Sequence, residues 1–81
     1  MTQEEIQGSI RAAFDSVNLI NGIVDGTRMK NESAQEKQDT IGRNVEHLNV
    51  MLGKSWFADT LTEQEDADIN AAISTGNGYT P

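Results

Sequence analysis

The strongest constraint on this chain is a stripe of apolar residues in its middle. Within IGRNVEHLNVMLGKSWF (41–57), Ile41, Val45, Leu48 and Leu52 recur at spacings of 4, 3 and 4. Only a helix of 3.6 residues per turn puts such a set on one face. Met51 broadens the stripe, while Arg43, Asn44, Glu46, His47 and Asn49 fall mostly on other faces. Gly53 follows the last periodic residue and is expected to close the helix in the left-handed conformation, with Lys54 suited to the negative end of the helix dipole. Trp56 and Phe57 then fall in an expected non-helical link. Two adjacent aromatics there plug the open end of a helical core or serve as a binding hot spot. The plug is preferred, because the chain has few other large side chains.

A second seam precedes the first. Ile6, Ile10, Ala13, Val17, Ile20 and Val24 repeat at 4, 3, 4, 3 and 4, with Phe14 and Ile23 beside them. Thr2 and Glu5 have the spacing of a capping box at its start. Gly8 costs such a helix about 1 kcal/mol, and Asp25-Gly26 is a turn signal. Two architectures follow. In one, the first helix ends near Gly26 and a second begins at Ser33, capped by Ser33 and Glu36; the two fold back as an antiparallel hairpin. In the other, the seam continues through Thr27, Asn31, Ala34 and Gln38 into Ile41 without a slip. That is a single coiled-coil helix about 70 Å long, and its β-branched seam positions lean towards a trimer. The glycines, the Asp-Gly pair and the polar middle favour the hairpin.

After the aromatics, Thr62 and Glu65 form a third capping box, with Leu61 a weak candidate for a hydrophobic staple. A helix is expected through Ile69, Ala72 and Ile73, closed by Gly76. Tyr79 in the tail folds back or anchors a partner. The expectation is therefore an all-α single domain over 1–81, with long helices at about 3–26 and 33–52 and a short one at about 62–75.

Composition bounds the function. One domain of 81 residues with 36% hydrophobic residues buries a limited core, so part of its apolar surface is expected to meet another chain. Cysteine is absent, which excludes disulfides and thiolate metal sites. No apolar run approaches the ~18 residues of a membrane span, and no secretory leader is evident, so the Asn31-Glu32-Ser33 sequon reads as chance. The net charge is -7, and residues 55–81 carry five acids and no base. Phosphate backbones and anionic membranes repel such a chain, so neither nucleic acid nor membrane is an expected partner.

No constellation carries an obvious chemistry. His47 is the only histidine and has no nucleophile to serve. His47 and Met51 stand four apart, yet Met51 is better placed in the core. Glu63, Glu65, Asp66 and Asp68 are dense, but the run DADINAAISTGN lacks the glycine and final glutamate of a calcium loop. Gly22 and Gly26 fit GxxxG outside the apolar segment that gives that motif meaning. Catalytic, cofactor and metal residues are therefore expected to be absent.

The run RNVEHLNVMLGKSWF, with TLTEQEDADINAAISTGNGY after it, resembles small uncharacterised proteins encoded among the structural genes of tailed bacteriophages. Their pattern is RNVEHLxxML-K, an acidic link, then INAAIxxGxxY, and it covers 43–79 here. The resemblance implies a non-enzymatic virion component or assembly factor, a capsid decoration or a tail or fibre accessory, assembled in the host cytoplasm. Its partners would be other virion proteins and copies of itself. The expected contact residues are Ile10, Val17, Val24, Ile41, Val45, Leu48, Leu52, Trp56, Phe57 and Tyr79. The alternative is a small acidic adaptor or inhibitor that occupies a basic site on another protein.

Overall fold

The computed structural model describes residues 1–80. It is all-α: α1 spans Gln3–Asp25, α2 Ala34–Leu52, α3 Ser55–Ala58 and α4 Glu63–Asn77. The hairpin, not the continuous rod, is what forms. The bundle measures 39 × 20 × 18 Å, and α1 alone, at 1.5 Å per residue, accounts for about 35 Å of its length.

The break at the end of α1 has a local cause. Gly26 takes the left-handed conformation at φ 86°, and its N–H returns to the Gly22 and Ile23 carbonyls. Thr27 and Arg28 N–H groups also donate to Gly22 O, at 2.9 and 3.0 Å. Asp25 accepts from the Thr27 hydroxyl at 2.7 Å and from its N–H at 2.9 Å. The hydroxyl first, and then the N–H, hold the Asp25 carboxyl below the usual carboxylate range. Gly22 makes room for the return, since a Cβ there would run into the Arg28 side chain. Met29 also has positive φ, 54°, and its side chain packs on the core. An αL residue other than glycine costs about 1–2 kcal/mol, which here brings an apolar side chain back onto the bundle.

All three long helices share one core. α1 contributes Ile10, Ala13, Val17, Ile20 and Ile23; α2 contributes Ile41, Val45, Leu48 and Met51; α4 contributes Ile69 and Ala72. Phe57 is fully buried and closes the end of this core. The aromatics do not lie in a non-helical link, however. Lys54 turns the chain at φ -97°, ψ 113°, and α3 forms one helical turn through Ala58 N–H donating to Lys54 O at 2.9 Å and Asp59 N–H to Ser55 O at 2.9 Å. Trp56 stands edge-on to Phe57, at 6.2 Å between centroids and 86° between planes.

Two glycines behave differently from the sequence expectation. Gly53 ends α2 in the right-handed conformation, φ -75°. The chain passes straight into α3 without a left-handed cap. Gly76 does not close α4, which runs on to Asn77 and ends at Gly78. Gly76 instead allows close packing: a Cβ would stand 2.6 Å from Val45 Cγ2, 3.1 Å from Ile41 Cγ2 and 3.4 Å from Ile20 Cγ2. These contacts also fix direction. The end of α4 meets the middle of α2 and the last third of α1, and its start follows the end of α2 through α3, so α4 runs antiparallel to α2 and parallel to α1.

The helix starts follow the capping reading in part. Thr62 and Glu65 make the full reciprocal box, at 3.1 and 2.9 Å. Thr2 and Ser33 each accept from the N–H three residues on, both at 3.1 Å. The return arm is missing at both. Glu5 takes the Thr2 hydroxyl, and the Glu36 carboxyl lies beside Glu32.

Candidate interaction surface

Most residues expected to face another chain are used within this one. Ile10, Val17, Ile41, Val45, Leu48 and Phe57 are buried in the chain's own core. A seam that would have held copies together as a coiled coil here joins α1 to α2 and α4. Leu52, Trp56 and Tyr79 are half-buried against that core and keep one side open. Val24 departs from the expected seam and is 39% exposed. The end of α4 reaches the level of Ile20, where Gly76 packs. Val24 lies one turn further and has lost that cover, and Ile23 takes the buried place beside the Gly22–Met29 return.

A trough of about 580 Å³ lies between α2 and the end of α4. Gln38, Ile41, Gly42, Val45, Glu46, Asn49 and Val50 line it from α2, Gly76 and Asn77 from α4, and Tyr79 from just beyond α4. Its lining is mixed: Gln38, Glu46, Asn49 and Asn77 are polar, and Ile41 and Val45, buried in the core, offer only their outer edges beside the close approach at Gly76. Val50, 52% exposed, stands at its rim.

Sequence reasoning placed Ile41, Val45 and Tyr79 among the contact residues and missed Gly42, Val50 and Gly76. Val50 was overlooked because it lies outside the Ile41–Leu52 periodicity. That departure was itself the available signal, since an apolar residue off the core stripe has to face outward. Gly42 carried a similar signal, as a glycine inside a helix that nothing in the capping pattern requires.

The electrostatics of the trough are one-sided. Glu46 is its only charged lining residue. At about 100° per residue, His47 projects from α2 well away from the face centred on Gly42, and the Arg43 guanidinium donates to Thr40 Oγ1 at 3.2 Å, whereas Asp39 lies near the edge of that face. No basic residue occupies the last turn of α4, so no cation of that turn offsets the negative end of the helix dipole where it borders the trough.

Among the described residues no group of three His, Asp or Glu side chains could hold a metal ion. His47 is exposed and Met51 is buried, so the pair does not present two ligands to one site. The acids of α4 serve its start, where Glu63, Glu65 and Asp66 lie in the first turn and favour the positive end of the dipole. Gln64 and Asp68 pair along the helix at 2.8 Å. No described helix is long and apolar enough to cross a membrane.

No family model matches the chain, and no curated protein or solved structure matches it either.

Proposed function

We propose that this chain is a non-enzymatic structural or assembly protein that works through helix-mediated contacts with other proteins, as a small virion component of a tailed phage: a capsid decoration or a tail or fibre accessory. The observation that carries the reading is how the apolar residues are divided. The core is completed within one chain, while Val50, Tyr79 and the edges of Ile41 and Val45 gather at one open trough. Such a surface meets a partner without the fold depending on it. The phage assignment rests on the resemblance of 43–79. The case for a trimer rested on a continuous seam, and the hairpin removes that support.

Particles purified on a density gradient and washed in high salt, then quantified by mass spectrometry against the major capsid protein, test the reading. A fixed copy ratio that survives the wash is expected. A chain found only in the soluble fraction overturns the virion assignment and favours the second reading, an acidic adaptor that occupies a basic site on another protein. The five acids and no base of residues 55–81 support that second reading.

A further inference from the structure

We propose that the α2–α4 trough docks a basic amphipathic helix of another protein, its apolar stripe on Val50, Tyr79 and the edges of Ile41 and Val45, and its Lys or Arg residues towards Glu46 and the end of α4. The inference rests on the reading of this chain as a binding protein and names the surface and the chemistry of its partner. Three observations meet here. The first is shape. Gly42 sits in the middle of α2, exposed, and a Cβ there would meet nothing within 4 Å. Alanine would fit and would stabilise the helix by about 1 kcal/mol. The hydrogen of Gly42 leaves the trough open along its axis and lets a partner backbone come near, as small residues do where helices cross closely.

The second is charge. Glu46 lines the trough, no base does, and α4 ends beside it with no base in its last turn. Lys or Arg flanking an apolar stripe complements both. The third is what the same charges exclude. A second copy brings a net charge of -7 of its own. A two-fold contact through this face would press together two surfaces that each carry Glu46 and no base. The trough runs along α2 from Gln38 to Val50 beside the end of α4, and a groove along one helix receives the apolar face of another.

The test uses the full chain and three synthetic probes: a Leu/Lys amphipathic helical peptide, a Leu/Glu peptide with the same stripe, and a Lys/Ser peptide without it. Amide shifts are followed by NMR at physiological salt, with affinities from calorimetry. The Leu/Lys peptide is expected to shift Gly42, Glu46, Val50 and Gly76 saturably, and the other two are not. Gly42→Leu, which fills the trough from an open position, and Glu46→Lys should each weaken binding by about tenfold or more, that is about 1.4 kcal/mol, with helicity retained. Asp66→Lys makes the same charge change at the far end of α4 and should leave the affinity within about twofold.

Equal losses at Asp66 and Glu46, shifts spread along the acidic start of α4, or unchanged binding by Gly42→Leu would overturn the proposal. So would shifts in these residues produced by self-association alone. The two readings fail separately. Stable incorporation into particles with no peptide binding removes the docking site and leaves the structural role. Peptide binding by a chain absent from particles does the reverse.

Discussion

Gly76 and Val45 meet so closely that a Cβ on the glycine would lie 2.6 Å from Val45 Cγ2. No side chain other than hydrogen fits between α4 and α2 at this level. Ile41 and Ile20 hem in the same position, so the neighbours cannot step aside independently. Gly76→Ala is therefore expected to destabilise the protein by about 1–3 kcal/mol, the usual cost of overpacking a filled core. Chemical denaturation checks this. A variant as stable as the parent would mean that α4 is free to slide along α2.

Leu48 is completely buried where α2 faces the other two long helices. Leu48→Asp places a carboxylate there with no partner, which the fold cannot absorb. Circular dichroism should find the helicity largely lost. Leu48→Ala is the gentler probe and should cost about 2–5 kcal/mol while preserving the fold. Full helicity in the aspartate variant would refute the shared core.

Two glycines in helical or cap positions should respond to alanine in opposite directions. Gly26 has φ 86°, so Gly26→Ala forces a Cβ into the left-handed region at a cost of about 1 kcal/mol. Gly42 is helical and faces open space, so Gly42→Ala should stabilise by about 0.5–1 kcal/mol. Melting curves of the two variants under one condition decide the point. Shifts of the same sign would contradict the assignment of Gly26 as the turn that ends α1.

Glu36 gives a pH signature. Its carboxyl shares a hydrogen bond with Glu32, and the Glu32 charge repels it. Slight desolvation and Asp39 act in the same direction, so its pKa is raised above 4.5. A carboxyl with a folded pKa above its unfolded value binds its proton more tightly in the fold. The stability it contributes is present below the unfolded pKa and is lost as pH rises through the folded one. Glu36→Gln keeps the main-chain bond to Ser33 and abolishes the repulsion. Its melting temperature should exceed the parent's well above pH 4.5 and converge with it below. A gap that widens on acidification would mean that Glu36 is held by a cation instead.

Periodicity carried most of the fold. The stripes of α1 and α2 and the cap at Thr62 are local properties, and each is legible in a window of a dozen residues. The choice of hairpin over rod was legible at Asp25-Gly26, because a left-handed residue followed by a side chain that binds its own turn cannot extend a helix. What was not legible depends on distant contacts. Whether Val24 or Ile23 is covered depends on where α4 ends. Whether Gly76 is a stop or a packing notch depends on Val45, some thirty residues away in the chain. The one-turn helix at Trp56 and Phe57 is too short to leave a periodic signal. The trough escaped for the same reason, since its two walls come from α2 and the last turn of α4.

The parallel course of α1 and α4 has a geometric outcome for anything joined to this bundle. Thr2 begins one end, and the chain passes Tyr79 close to the other, beside the last third of α1. Neighbouring domains fused before Thr2 and after Tyr79 would leave in opposite senses along the 39 Å axis, held apart by a rigid spacer instead of side by side.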